Sequence, residues 1–212
     1  MDTGTQRIEE AGADGCDLGL LVSLSRSGWS IVPLQPRKKQ PLDHFPLAEY
    51  FAKPAPPAQV AEWIAEAEGW NWGLTLGEVS GGIAALDIDS SEGELWVDEE
   101  GGPGVTAGYA TGRGKQFLYK VSPQISSLRW IRLHPDVELR GNRHYSVIPP
   151  SVHPSGTSYR WIRHPAPPDP GTPLAGVAAK MSIWPLGPLP PWLAQLVTDR
   201  AKRRSAYEVT GS

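Results

Sequence analysis

Asp87 and Asp89, in the run Leu86-Asp87-Ile88-Asp89 that follows the apolar stretch Ile83-Ala84-Ala85, are the side chains best placed to do chemistry. The run reads as a buried strand. Alternate side chains of a strand share a face, which sets the two carboxylates side by side with Cα atoms about 6.5–7 Å apart. Like charges at that spacing repel, and an ionised carboxylate in an apolar setting is costly unless paired or bound to a metal. A divalent cation relieves both problems. Two oxygen donors suit Mg2+ or Mn2+, whose remaining positions go to water and substrate phosphates. The spacing leaves a second reading open: a strand end with two solvated aspartates at a turn formed by Ser90-Ser91.

The charge distribution bears on which partner such a site meets. The net charge of −3 conceals an asymmetry, since residues 1–110 carry 6 Lys/Arg against 18 Asp/Glu, whereas residues 111–163 carry 9 against 2. A basic segment just after the two-carboxylate strand suits a surface that meets phosphates, whether of nucleotides or of a nucleic-acid backbone. A solvated strand face with ordinary Arg and Lys is the competing reading. Cys16 is the single cysteine, which excludes an internal disulfide framework and a cysteine-based zinc site and fits a reducing compartment. No apolar run approaches a membrane span, and Met1–Glu10 lacks a signal-peptide pattern, so the expectation is a soluble cytosolic protein.

The elements that must position the aspartates follow from hydrophobic periodicity. A helix is expected over 17–27, with Leu20, Leu21 and Leu24 on one face and Gly28 as its stop. A second, over 57–68, has Pro57 in its first turn and buries Val60, Trp63, Ile64 and Ala67. Strands are expected at 29–34 and 70–77. After the aspartate strand, Ser91-Glu92-Gly93-Glu94 reads as a capping box opening a short helix. From Thr106 the pattern turns mainly β, at 106–110, 115–121, 128–133, 136–140, 144–148 and 158–163, before a last helix over 190–202. Of the nine tryptophans, Trp29, Trp63, Trp96 and Trp184 read as core, and core packing is also preferred over base stacking for Trp72 and Trp130.

Several segments occur in an order that resembles a known family. These are Gly28-Trp29, Lys38-Lys39-Gln40-Pro41, Asn71-Trp72-Gly73, Leu86-Asp87-Ile88-Asp89, Ala110-Thr111-Gly112-Arg113-Gly114, Val137-Glu138-Leu139-Arg140-Gly141 and Pro149–Gly156 with Tyr159 and Trp161. The set resembles the N-terminal primase–polymerase domain of phage and plasmid replication proteins, in the archaeo-eukaryotic primase superfamily. The resemblance implies an α+β fold in which an α/β lobe, roughly residues 1–105, joins a β-rich lobe like an RNA-recognition motif, roughly 106–190, with the active site between them. The whole catalytic domain would span 1–200, with 201–212 starting a basic, polar linker toward a helicase domain on a longer polypeptide.

The resemblance also implies roles. Asp87, Asp89 and Glu138 would be the catalytic carboxylates and would hold two divalent ions, Mg2+ or Mn2+, about 3.5–4 Å apart. The substrates would be ribo- or deoxynucleoside triphosphates on a single-stranded or primed DNA template, in the cytoplasm of a bacterial host. A histidine that touches the incoming triphosphate is expected just after the Gly-rich turn, but none is present. Phe117 or, with a one-residue slip, Gln116 takes its place. Arg113 and Lys115 would then supply phosphate contacts. Arg140, Ser151 and His153 are further nucleotide contacts in this reading, with Lys39, Asn71 and Gly73 as weaker ones. The expected activity is template-dependent nucleotidyl transfer. A degenerate domain that binds nucleotide or nucleic acid without turnover is the alternative, followed by a metal-dependent initiator nuclease and a small-molecule-binding α+β domain.

Overall fold

In the computed structural model, the described residues are 18–165, 183–184 and 186–210. The first helix, α1 (18–26), forms because Leu20, Leu21 and Leu24 line one buried face. It ends at Gly28, whose φ of 86° closes the chain back onto the Ser25 carbonyl at 3.0 Å. Strand β1 (Ser30–Leu34) follows, then a short α2 (Leu47–Tyr50) and α3 (Pro57–Glu66), which buries Val60 and starts on Pro57 as its sequence requires. Strand β2 (Asn71–Thr75) and a 3₁₀ turn at Glu78–Ser80 lead into β3 (Ile83–Ile88), which carries Asp87.

Helix α4 (Ser91–Glu99) opens one residue earlier than its sequence suggests. Ser90, rather than Ser91, is the N-cap, and its hydroxyl accepts from the Gly93 N–H at 3.0 Å. The remaining elements are β4 (Gly108–Ala110), β5 (Lys115–Lys120), α5 (Pro123–Ser126), β6 (Trp130–His134), β7 (Val137–Arg140), β8 (Tyr145–Ile148), β9 (Arg160–Pro165), β10 (Ile183–Trp184) and α6 (Pro191–Thr210). The pieces that periodicity did not reveal, α2, α5 and β10, are all four residues or shorter. The side chain of Trp184 lies outside the described residues.

The strands form two sheets, so the fold is α+β as expected. A three-stranded antiparallel sheet has the order β1-β2-β8, and a seven-stranded sheet has the order β10-β9-β4-β5-β3-β7-β6, antiparallel except for β10 on β9. Strand β8, from the second half of the chain, completes the small sheet, while β3, from the first half, lies near the middle of the large one. A division of the chain at 105/106 therefore runs through both sheets.

The large sheet separates two hydrophobic clusters, as period-two alternation demands. One face of its strands contributes Ala84, Leu86, Ile88, Phe117, Tyr119, Val137 and Leu139, packed with Val97 of α4 and with Leu193 and Val197 of α6. The other face contributes Ala85, Tyr109, Leu118 and Trp161 to the cluster holding the small sheet, α1 and Val60 of α3. Asp87 shares this second face, between the sheets.

His164 on β9 gives the fold a pH dependence. Burial pushes its imidazole down to about 4, because the charged ring is poorly solvated beside Trp161, 5.9 Å away. The unfolded chain takes up this proton near pH 6.5 and the folded chain only near 4, so the contribution to stability is complete above 6.5 and is lost as pH falls from there toward 4. The melting temperature of His164→Gln is therefore expected to fall less steeply than wild type between pH 6.5 and 4. Parallel curves would show that His164 does not titrate in this way.

Candidate active site

The site is built from one row of side chains that runs straight across the large sheet. Directly paired residues of neighbouring strands point to the same face. Here Tyr109 pairs with Gln116, Gln116 with Asp87, Asp87 with Glu138 and Glu138 with Arg132, across β4, β5, β3, β7 and β6. The row is wired by hydrogen bonds. The Tyr109 hydroxyl donates to Gln116 Oε1 at 2.5 Å, and Gln116 Nε2 donates to Asp87 Oδ1 at 2.6 Å. Arg140, two residues past Glu138, places Nη2 2.6 Å from Asp87 Oδ2 and Nε 3.3 Å from Glu138 Oε2. Arg132 holds the other Glu138 oxygen at 2.5 Å.

Above the row lies a cleft of about 220 Å³ lined by Lys39, Asp87, Asp89, Thr111, Gln116, Arg140, Tyr145, Val147 and Tyr159. Both sheets contribute to it, since Tyr145 and Val147 belong to β8. Burial raises the Asp87 carboxyl above its usual range and Asp89 adds to the effect, opposed by Arg140, the Gln116 bond and Lys39. Tyr159 is pushed up to about 12, by burial first and then by the charges of Asp87 and Asp89. The cleft thus combines two acids, Asp87 and Asp89, with two cations, Lys39 and Arg140.

The loops around the cleft are fixed by polar side chains. Asn71 Nδ2 donates to the carbonyls of Lys38 and Val152, both at 2.8 Å, and its Oδ1 accepts from the Val152 N–H. The Tyr145 hydroxyl donates to the Lys39 carbonyl at 2.6 Å. Lys39 is thereby held at the mouth, exposed, and among the described residues its ammonium forms no ion pair. His153 lies flat against the glycine turn. A Cβ on Gly112 would fall 2.3 Å from its ring, so only glycine permits this approach. The Ser155 N–H donates to His153 Nδ1 at 3.1 Å, which leaves the ring proton on Nε2. Burial, Lys39 and Arg113 together lower the basicity of His153.

The residues singled out in the sequence therefore separate into groups. Asp87, Asp89, Gln116, Arg140 and Lys39 line the cleft, and Arg113 and His153 stand beside it. Glu138 neighbours Asp87 but gives its carboxylate to two guanidinium groups. Between Gln116 and Phe117, the register places Gln116 on the Asp87 face. Phe117 is buried on the opposite face, under the Arg163 guanidinium at 5.2 Å. Lys115 also leaves the cleft, pairing with Glu94 of α4 at 2.6 Å.

Three other residues make contacts within the fold. The Ser151 hydroxyl is spent on the Trp72 backbone, accepting from its N–H at 2.8 Å. Asn71 ties two loops together. Gly73 makes room for Val32, Leu34 and Tyr145. Sequence reasoning assigned no role to Tyr109, Thr111, Arg132, Tyr145 or Val147. None carries a distinctive spacing, although Tyr109 becomes visible once the hairpin is counted back from Gln116.

The chain belongs to the family of bifunctional DNA primase/polymerase N-terminal domains, which matches residues 21–192. No curated protein matches it. Membership implies a nucleotidyltransferase-type enzyme that meets nucleotides and DNA. No helix among the described residues is long and apolar enough to cross a membrane.

The family is metal-dependent, and the side chains fit a metal in part. Asp87 and Asp89 offer oxygen donors to one cleft, and burial of Asp87 is the cost that a cation would relieve. Among the described residues, however, no three His, Cys, Asp or Glu side chains stand close enough to hold an ion. Glu138, paired with Asp87 across the strands, has its carboxylate held by Arg132 and Arg140.

Proposed function

We propose that the chain is a template-dependent nucleotidyltransferase that makes or extends primers in phage or plasmid DNA replication, in the bacterial cytoplasm and alongside a helicase on the same polypeptide. The observation that carries this reading is the cleft itself, where buried Asp87 and exposed Asp89 meet Gln116, Arg140 and Lys39. In this reading Asp87 and Asp89 are the primary metal ligands, and Glu138 joins them when Arg140 moves onto the triphosphate. Bound Mg2+ or Mn2+ would acidify the primer 3′-hydroxyl and neutralise charge on the leaving pyrophosphate.

The side chains of the chain do the positioning. Gln116 fixes the Asp87 carboxylate through Oδ1 and is itself fixed by Tyr109. It therefore serves as a positioning residue where the family carries a phosphate-binding histidine. Lys39, Arg113 and His153 take over the triphosphate, bringing two cations and one neutral N–H to the rim. Lys39→Ala is expected to raise the KM for triphosphate about tenfold, the worth of one charge-assisted hydrogen bond, with Lys39→Arg retaining most of the affinity. An unchanged KM in the alanine variant would remove Lys39 from the site.

A second reading is favoured by one observation, the double commitment of Glu138 to arginines. It is a module that binds nucleotide and nucleic acid without turnover. Extension and de novo synthesis assays on single-stranded and primed templates, run with each nucleotide set and each metal, separate the two. Incorporation establishes the first reading, and triphosphate binding without incorporation establishes the second.

A further inference from the structure

Trp130 stands apart from the other tryptophans of the described fold. It is 43% exposed, on the edge strand β6. It pairs with Arg140, just as Arg132 pairs with Glu138, so Trp130 and Arg132 lie on the same face as Asp87. The Arg132 guanidinium sits 5.6 Å from the indole centroid and is anchored by Glu138 and by the Pro135 carbonyl at 3.1 Å. Arg129 precedes Trp130 and is exposed, as is Arg143 in the turn after β7. Two guanidinium groups act on His144 nearby: after burial, Arg140 and Arg129 lower its basicity. Only Glu138 opposes them within this group, and both its oxygens are occupied.

The edge is closed to one class of partner. Arg200 of α6 donates to the carbonyls of Arg132 and Leu133, at 2.8 and 3.1 Å, and so caps the outward backbone of β6. A peptide strand adding to the sheet would need those acceptors. The exposed surface is instead an aromatic ring with the Arg132 guanidinium against it. The exposed Arg129 and Arg143 lie on the adjoining segments, where Gly141 and Asn142 bond back to the Arg129 and Leu128 carbonyls. The combination suits a stacked base with phosphate contacts nearby.

We propose that Trp130, with Arg129, Arg132 and Arg143, is a docking platform for single-stranded nucleic acid, one base stacking on the indole and the flanking phosphates meeting the arginines. The platform lies two strands from Asp87, on the order of 10 Å at ordinary strand spacing. It is linked to Asp87 by the continuous series Trp130, Arg132, Glu138, Arg140. That the docked strand is the template rests on the nucleotidyltransferase reading; the binding itself does not.

The test uses the full chain and a fluorescein-labelled oligothymidylate, with affinity read by anisotropy over a range of salt concentrations. Trp130→Ala is expected to weaken binding about tenfold and Trp130→Phe much less. The double variant Arg129→Ala/Arg143→Ala is expected to lower the salt dependence by one to two phosphate contacts, a change of about 0.7 in slope for each. Triphosphate affinity should not move in any of them. Oligothymidylate binding indifferent to Trp130→Ala would overturn the platform even if the chain incorporates nucleotides. Trp130-dependent binding in a chain that incorporates nothing would uphold the platform and sink the catalytic reading.

Discussion

Asp87→Asn is expected to reduce nucleotide incorporation by more than about 10³-fold while the protein melts no lower than wild type. The loss follows from charge. An amide has nearly the shape of the carboxylate but offers a divalent ion one neutral oxygen in place of an anion, and stabilisation of developing charge is the largest contribution in transfers of this kind. Stability is spared for the same reason. The carboxylate is buried, and burial opposes its ionisation, whereas the amide is neutral and can still accept from Gln116 Nε2. Arg140 retains Glu138 as a partner. Asp98→Asn, exposed on α4, serves as the neutral control. Extension by Asp87→Asn at near wild-type rate would end the catalytic assignment.

Gly114→Ala is expected to be the most destabilising single-methyl change near the site, costing about 3 kcal/mol or more. A Cβ at Gly114 would stand 1.9 Å from the Ile88 carbonyl oxygen and 2.9 Å from its carbon. These are backbone atoms of a central strand and cannot rotate aside. Overpacking where side chains can yield already costs about 1–3 kcal/mol. The turn has no slack either, because Thr111 accepts from the Gly114 N–H through its side chain at 3.0 Å and donates to the Gly114 carbonyl at 2.8 Å. Relief comes only by prising the start of β5 from β3, which strains the Gln116–Asp87 bond as well. At about 2–4 °C per kcal/mol for a chain of this size, the melting temperature should drop by roughly 6–12 °C. Gly19→Ala makes the contrast, since nothing lies within 4 Å of a Cβ there and the position is in the first described turn of α1. It should be neutral or gain up to about 1 kcal/mol. Equal melting temperatures for the two variants would mean the close approach of Gly114 to Ile88 is not maintained.

Local patterns in the sequence were enough for the parts of this site that depend on local spacing. Period two in Leu86-Asp87-Ile88 placed Asp87 on the cleft side of β3, while Asp89 lies just past the strand end, exposed, and still lines the cleft. Of the basic segment 111–163, Arg140 lines it as well. Gln116 was within reach as well. A four-residue turn from Thr111 to Gly114 pairs Ala110 with Lys115 and so Tyr109 with Gln116, and the burial of Phe117 and Tyr119 on the other face admits no slip. Lateral strand order was not within reach. That Glu138 lies beside Asp87 was implied only by family resemblance, and that Arg132 and Arg140 flank it depends on β6 and β7 joining β3 from more than forty residues away. Ser151 and Asn71 misled for a different reason: polar side chains in a loop rich in proline suggest ligand contact, but here backbone groups consume their hydrogen bonds. Trp130 was read as core because an aromatic residue in a strand usually packs inward, and only its edge position exposes it.

The guanidinium of Arg140 is lodged against both Asp87 and Glu138, which has a consequence for the stability of the fold without a metal. The crowded acids come with a resident counter-charge, so the polypeptide needs no mineral ion to complete its fold. On the reading proposed above, a chelator would strip activity while leaving the melting temperature unchanged.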